Sequence, residues 1–220
     1  MDKCKLLGRS VEVTPVTEIR TPEQLLLQCY PAFGGAYVRR IFSILDKAIG
    51  KGVPLIISVA GPVTVSNQHR AWLIPLLETG WVAYITITDA ACYHDGHDLL
   101  EKFDERPLYE VPIAGRDLEL REDHIIRVTN VGFPEDILFK QDQFFTALLR
   151  QPEFQRRMTG TEFRHLVGKY YAAQEERYNA KPSLLSTCWK NGTPVFVGAP
   201  GDGSAFLNSV LVLCWSPSED

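Results

Sequence analysis

The sequence lacks several features that would assign it at once to a common class of protein. Its five cysteines are scattered and form no C-x-x-C pair, which argues against a disulfide framework or a zinc knuckle and indicates a reducing compartment. No apolar run approaches the length of a membrane span, and the N-terminal segment has no apolar stretch long enough for a signal peptide. We therefore expect a cytoplasmic protein that has no membrane partner.

A strong excess of charge of one sign is also missing. The net charge of the 220-residue chain is −4, and 45% of its residues are hydrophobic and 23% charged, which is ordinary for a globular protein. This balance predicts no nucleic-acid partner. The chain is long enough for one large domain or two small ones. It contains no internal repeat, no low-complexity segment and no G-x-G-x-x-G motif.

Amphipathic and continuously apolar segments alternate in the first half of the chain. A helical stripe over residues 34–52 is followed by the apolar run VPLIISVAG at 53–61, which fits a strand buried on both faces. A second helix at 66–80, a second buried strand at 81–88 and a third helix at 96–105 come next. This alternation predicts an α/β fold with a Rossmann-like, mostly parallel sheet and helices on both faces.

The second half continues with a polar connector and then mostly helices. HIIRVTNV at 124–131 predicts a third strand, and amphipathic helices are expected at 134–151, 160–179 and 183–192. TPVFVGAPGDGS then predicts a buried strand that leads into a glycine-rich loop. We expect a single domain, incomplete at the C-terminus, with an N-terminal extension at 1–34, a first nucleotide-binding half at 35–104, and a helical insert and late strand at 105–220.

Three loops that follow predicted strands are candidates for a ligand site. They are AGPVTVSN after the first buried strand, DAACYHDGHD after the second and GAPGDGS after the late one. Ligands of open parallel sheets bind beyond the carboxyl ends of the strands, where these loops would lie together. The first loop opens a helix at Ser66, whose free N–H groups could hold a phosphate, although Gly61 is equally consistent with a simple turn.

The second loop is rich in side chains that bind metals. Within five positions it carries His94, Asp95, His97 and Asp98, and imidazole and carboxylate are ligands of catalytic divalent ions. One alternative is therefore a metal-dependent hydrolase of a guanidine or amine. Such a site needs further ligands from other strand ends, which the remaining histidines do not supply. A solvated loop and helix start is the favoured interpretation, and no metal site is predicted.

Asp202, in the glycine-rich loop, leaves two interpretations open. The strand that precedes it carries no other acid. Its carboxylate could hold a ribose hydroxyl or a cationic amine, or it could form an Asx-turn.

Taken together, the segments and their order resemble the deoxyhypusine synthase family. GVPLIISVAGPVTVSNQHRAWLIPLLETGWVAYITITDAACYHDGHDLL is similar to the first nucleotide-binding half of that family, and SLLSTCWKNGTPVFVGAPGDGS to its later strand and Asp-Gly-Ser loop. PEFQRRMTGTEFRHLVGKYY resembles the bacterial, deoxyhypusine-synthase-like branch, some members of which are homospermidine synthases. The resemblance covers nearly the whole chain, from about residue 15 to residue 210.

The resemblance implies an NAD-dependent transferase that acts on polyamines. In the family, NAD accepts a hydride from spermidine beside its secondary amine, and an aminobutyl unit passes through an imine on an enzyme lysine to an amine acceptor. That acceptor is a protein lysine in deoxyhypusine synthases and putrescine in homospermidine synthases. Family members are usually homo-oligomers, most often tetramers, with active sites shared across a dimer interface.

The resemblance also assigns roles to residues. It implies that the cofactor-binding residues are Gly61, Thr88, His94, Asp95 and Asp202. It identifies no catalytic residue, because the Trp-Gly-Lys segment that provides the imine-forming lysine is not found in the chain.

The chain departs from the family at several loop positions. A glycine is expected where Asp89 stands, and small residues where Pro62 and Asn67 stand. A carboxylate at position 89 is expected to repel the pyrophosphate of NAD. A non-catalytic binding or regulatory subunit of an oligomer is therefore the alternative from another functional class.

Overall fold

The computed structural model of the protein describes residues 10–100 and 108–215, with the side chains of Asp202 and residues 213–215 excepted. Contacts divide the chain into two compact units, Met1–Pro54 and Leu55–Asp220. Among the described residues, no helix has the length and hydropathy needed to cross a membrane.

The described part of the first unit contains a 3-10 turn and two helices, which are Val16–Glu18, α1 (Pro22–Gln28) and α2 (Phe33–Gly50). Thr21 caps α1, because its hydroxyl accepts a hydrogen bond from the Gln24 N–H. Helix α2 ends at Gly50, and Gly52 follows with a φ of 64°. The helix that the sequence predicts over residues 34–52 is confirmed, and neither α1 nor α2 buries a residue.

The second unit contains two sheets. In chain order its strands and helices are β1 (Leu55–Val59), α3 (Pro62–Val65), α4 (Ile74–Glu78), β2 (Val82–Ile87), α5 (Asp89–His94), β3 (Tyr109–Glu110), α6 (Asp117–Glu122), β4 (Ile125–Val128), β5 (Val131–Pro134), α7 (Asp136–Leu149), α8 (Gly160–Tyr178), α9 (Leu184–Asn191), β6 (Val195–Val197) and α10 (Ser204–Trp215). The first sheet is parallel, with the order β1-β2-β6, and the second is antiparallel, with the order β3-β5-β4. A mixed α/β fold with a parallel sheet is therefore confirmed.

The burial of apolar residues differs between the strands of the parallel sheet. In the central strand β2, Ile85 and Ile87 are buried, and Ile85 pairs with Val195 of β6. In β1 half-buried and exposed residues alternate, and Ile56 is 58% exposed. The prediction that β1 is buried on both faces is therefore wrong, because the face that carries Ile56 and Ser58 is exposed.

The core of the second unit lies between the parallel sheet and its helices. The largest fully buried side chains include Tyr171 of α8, Phe145 of α7 and Leu185 of α9. Helices α8 and α9 approach so closely that a Cβ atom at Gly168 would lie 2.2 Å from the carbonyl oxygen of Leu185. Burial of these aromatic and aliphatic side chains stabilises the unit through the hydrophobic effect.

Three predicted elements differ from the structure. The single strand expected at 124–131 belongs to the hairpin β4–β5, in which Thr129 adopts a left-handed φ of 59°. The helix expected at 66–80 is a π-helical turn, His69–Leu73, followed by the short α4. In the helix expected at 96–105, the described part is the 3-10 turn His97–Leu99, and residues 101–107 lie outside the described residues.

Candidate functional site

The three predicted loops meet at the carboxyl edge of the parallel sheet, because β1, β2 and β6 run in the same direction. The first and second loops touch at Gly61, where a Cβ atom would lie 2.9 Å from Cβ of Ala90. The second and third touch at Gly203, where a Cβ atom would lie 2.1 Å from Cβ of Asp89. The two glycines therefore allow the loops to pack directly against one another.

Asp89, the first residue of α5, lies between these loops and is only 3% exposed. Its Oδ1 lies 3.0 Å from Nη2 of Arg164, and its Oδ2 accepts a hydrogen bond from the Phe206 N–H at 3.1 Å. The first contact reaches α8 and the second reaches the first turn of α10. One carboxylate thus joins three helices at the edge of the sheet.

Arg164 neutralises this buried carboxylate. It is 4% exposed, and its Nη1 donates a hydrogen bond to the carbonyl oxygen of Gly160 at 2.9 Å. Burial of both charges is tolerated because the ions pair and also form hydrogen bonds. Burial raises the pKa of the neighbouring Cys92 thiol to about 12, although Arg164 opposes the shift, so this thiol stays protonated at neutral pH.

The residues at this edge do not fit the pyrophosphate of NAD, the cofactor that the resemblance implies. Free N–H groups at a helix N-terminus and a nearby cation together bind anions. Here the Phe206 N–H and the guanidinium of Arg164 already bind the carboxylate of Asp89. At Gly61 and Gly203 the loops are in direct contact, so a pyrophosphate could lie between them there only if they separated. A second anion beside Asp89 would also meet a like charge.

Two of the predicted cofactor-binding residues lie at this edge. Gly61 is buried directly before α3, where its lack of a side chain admits Ala90. Thr88 directly follows β2, is exposed, and is the N-cap of α5 without a side-chain hydrogen bond to that helix. Their predicted part in cofactor binding stays a prediction.

Asp95, predicted for the same role, lies at the other end of α5 and is 2% exposed. Its two oxygens accept hydrogen bonds from the N–H groups of Leu184 and Leu185, at 2.7 and 2.8 Å, in the first turn of α9. Nε2 of His69 lies 3.6 Å from Oδ1 of Asp95. Burial raises the pKa of Asp95 to about 7, against the lowering effect of the two amides. Asp95 therefore binds α9 with both of its oxygens.

His94 and His97 contact each other, since Nδ1 of His94 and Nε2 of His97 lie 3.1 Å apart. Both rings also lie against the ring of Phe133, with centroids 6.2 and 5.3 Å away. Asp98 pairs with Arg70. Among residues 10–100 and 108–215, no three metal-binding side chains are grouped so as to hold a metal ion.

The glycine in CYHDGHDLL lets this polar, buried segment approach α7 and α8 closely. A Cβ atom at Gly96 would lie 2.5 Å from the Tyr171 hydroxyl oxygen and 2.6 Å from Nε2 of Gln141. The Tyr171 hydroxyl accepts a hydrogen bond from Gln141 and donates one to the carbonyl oxygen of Cys92, each at 3.1 Å. The segment is a hydrogen-bonded junction between α5, α7 and α8.

Asp202, the fifth predicted cofactor residue, follows β6 in the 3-10 turn Pro200–Asp202. Its side chain lies outside the described part of the chain, so its predicted role stays a prediction.

The sequence does not reveal two important charged residues. Arg164 is one of several charges in an amphipathic helix, and its partner Asp89 lies 75 positions away. Glu175 is buried and accepts hydrogen bonds from the N–H and the hydroxyl of Ser183, each at 2.8 Å. The only usable signal was Ser183, whose type and position predict a helix cap.

A cavity of about 520 Å³ adjoins the ion pair, between α8 and α10. Its walls are mainly apolar, with Phe154, Phe163 and Phe206 among them, and its charged lining residues are Arg156 and Arg164. Among the lining residues that the structure describes, none is acidic and two are arginines, and this charge does not suit a polyamine cation.

Comparisons with known proteins point to one family. The model of the family "Deoxyhypusine synthase" matches residues 26–216. A "Deoxyhypusine synthase-like protein" from Nostoc punctiforme is 31% identical over 208 residues, which cover 93% of this chain and 52% of that protein. One from Thermosynechococcus vestitus is 32% identical over 210 residues, covering 92% and 51%. The chain therefore spans about half the length of the curated relatives it matches.

Among solved structures, the chain is similar to a protein from Entamoeba histolytica that is assigned as a deoxyhypusine synthase. The TM-score is 0.49 and the sequence identity 15%, with 76% of this chain and 49% of that chain covered. The assignment to a family therefore depends on the sequence matches.

Proposed function

Because this chain belongs to the deoxyhypusine synthase family, we propose that it acts in the transfer of the aminobutyl group of spermidine to an amine acceptor. The match of the family model to residues 26–216 is the observation that carries this proposal. The acceptor is either a protein lysine or putrescine. The similarity covers about half the length of the curated relatives. The proposal therefore carries a reaction of the whole family protein over to this chain.

The overall reaction is balanced without a net oxidant. The bond between the secondary nitrogen of spermidine and its aminobutyl carbon breaks, and 1,3-diaminopropane leaves. A new bond joins the same carbon to the acceptor nitrogen, which loses one proton. With putrescine as acceptor the product is homospermidine.

We further propose a polyamine substrate, a homo-oligomer and a cytoplasmic location, with NAD as the family's cofactor and a Rossmann-like arrangement of the parallel sheet. The cofactor contacts would then come from residues other than Asp89 and its partners, since these do not fit a pyrophosphate. Gly61, Thr88, His94, Asp95 and Asp202 remain proposed cofactor residues.

The experiment is incubation of the 220-residue protein with spermidine, with and without NAD and putrescine, followed by chromatography of the amines. We expect 1,3-diaminopropane to appear only when spermidine and NAD are both present, and homospermidine when putrescine is added. Release of 1,3-diaminopropane without NAD would exclude the cofactor part of the proposal. No release under any condition would contradict catalysis by this chain.

A second candidate is a non-catalytic binding or regulatory subunit. The observation that favours it is the buried Asp89–Arg164 pair at the edge of the sheet. This candidate predicts no turnover by the chain alone and an increase in turnover when the chain is added to an active family member. A chain that leaves its partner's turnover unchanged would contradict it.

A further inference from the structure

At the carboxyl edge of the parallel sheet, the loops on either side of Asp89 pack directly against each other at two glycines. A Cβ atom at Gly203 would lie 2.1 Å from Cβ and 2.2 Å from Oδ2 of Asp89, and one at Gly61 would lie 2.9 Å from Cβ of Ala90. Neither glycine can carry a side chain without displacing its neighbour, so the loops would have to separate at these two points before a pyrophosphate group could lie between them. This steric obstruction is independent of charge.

The groups around Asp89 nevertheless have the chemistry of an anion site. The guanidinium of Arg164 and the Phe206 N–H both donate to the carboxylate. The Phe206 N–H belongs to the first turn of α10, a helix of 12 residues whose N-terminus carries partial positive charge. In addition, Nε of Arg164 is buried without a hydrogen-bond partner among the described residues. The Nε–H of Arg164 is therefore a buried donor that Asp89 does not satisfy.

We propose that this edge is a phosphate-binding site closed by its own carboxylate, so that the native protein does not bind the pyrophosphate group of NAD between these loops. Asp89 occupies the position of the anion and neutralises Arg164. The inference goes beyond the proposed function, because it holds whether or not the chain turns over spermidine.

Removal of the carboxylate gives a specific expectation. The substitution Asp89→Gly deletes a group with the size and charge of acetate and leaves Arg164 and the Phe206 N–H unpaired. Acetate should refill the space directly. Pyrophosphate, alone or within NAD, should enter only if the loops separate, and its charge-assisted hydrogen bonds to Arg164 favour that separation.

The experiment compares wild-type protein with Asp89→Gly and Asp89→Asn. The Asn variant is the matched control, because it removes the charge but keeps the space filled. Melting temperatures are measured in sodium acetate and in sodium chloride of equal ionic strength, and calorimetry then measures binding of pyrophosphate and of NAD.

We expect acetate to raise the melting temperature of the Gly variant alone. Its affinity for pyrophosphate should exceed that of wild-type protein by roughly tenfold or more, the size of one charge-assisted hydrogen bond. Acetate should compete with pyrophosphate, because the proposal places both anions in the same site. Binding of pyrophosphate without binding of NAD would mean that the opened site accepts only the free anion.

Two results would overturn the proposal. One is wild-type protein that binds pyrophosphate as tightly as the Gly variant. The other is a folded Gly variant that responds to neither acetate nor pyrophosphate. If the Gly variant folds in neither salt, Asp89→Ala replaces it, and the same two results decide.

Discussion

The two ends of helix α5 hold buried carboxylates in different environments. At the N-terminal end, Asp89 pairs with the guanidinium of Arg164 and receives one N–H from α10. At the C-terminal end, Asp95 receives two neutral amide N–H groups from α9. Each carboxylate supplies an anion to the first turn of another helix, so one short helix orients two others.

The difference lies in how the negative charge is compensated. A full cation balances Asp89 at hydrogen-bond distance, whereas the two amides only partly offset the burial of Asp95, and its pKa is raised to about 7. The Asp89 end is thus an ion pair, whereas we infer that the Asp95 end takes up a proton within the range of cellular pH. The predictions below test this contrast, beginning with the largest effect.

Replacing Arg164 should have the largest effect, because it leaves Asp89 buried without a cation. We expect Arg164→Met to lower the free energy of unfolding by about 3–5 kcal/mol, measured by urea denaturation. The double variant with Asp89→Asn should lose less than the single one, since no buried charge is left. Arg116→Ala, which breaks an exposed pair with Glu119, is the control and should change little. Equal losses in the single and double variants would disprove the coupling.

Adding a side chain beside Asp89 should have the next largest effect on the free energy of unfolding. A Cβ atom at Gly203 would overlap Asp89, so we expect Gly203→Ala to cost about 2–3 kcal/mol in the free energy of unfolding. Gly201→Ala is the matched control two residues away, because its Cβ would meet no atom within 4 Å. If the two variants melt at the same temperature, the loops are not packed as described.

The Asp95 end should make stability depend on pH. Between the ordinary pKa of 3.8 and the raised value of about 7, the folded protein keeps a proton that the unfolded chain has lost. The contribution of Asp95 to stability should therefore fall as pH rises through that interval and stay constant above it. Asp95→Asn should remove this part of the slope and cost about 1–2 kcal/mol at pH 4, because one N–H loses its acceptor. An unchanged slope in the variant would exclude Asp95 as its source.

A local cap should matter least. Thr159 caps α8 by accepting a hydrogen bond from the Glu162 N–H at 3.2 Å, from only three residues away. We expect Thr159→Ala to cost about 1 kcal/mol at every pH, by urea denaturation. A larger loss than that of Asp95→Asn would contradict the view that the carboxylates of α5 are the more important anchors.

The sequence predicted those parts of the fold that depend on neighbouring residues. The stripes and caps of α2, α8 and α9 are local, and so is the alternation that predicts a parallel sheet. The hairpin β4–β5 was missed because Thr129 takes a left-handed conformation that its residue type does not favour.

The site was less predictable because its contacts are distant in the chain. The resemblance drew attention to Asp89 as a residue that would repel a cofactor, and the structure places it at the carboxyl edge of the parallel sheet. The repulsion itself stays a prediction. Its partners Arg164 and Phe206 lie 75 and 117 positions away, and no local pattern connects them to it. The polar residues of CYHDGHDLL gave no indication that Asp95 would bind the amides of Leu184 and Leu185.

The most direct test follows the Phe206 amide of the wild-type protein by nuclear magnetic resonance while NAD is added. Because Asp89 already accepts the hydrogen bond from this amide, we predict that its chemical shift stays constant throughout the titration. A saturable shift of this amide would mean that the cofactor enters between the loops, and would contradict the claim that the chain's own carboxylate closes this edge.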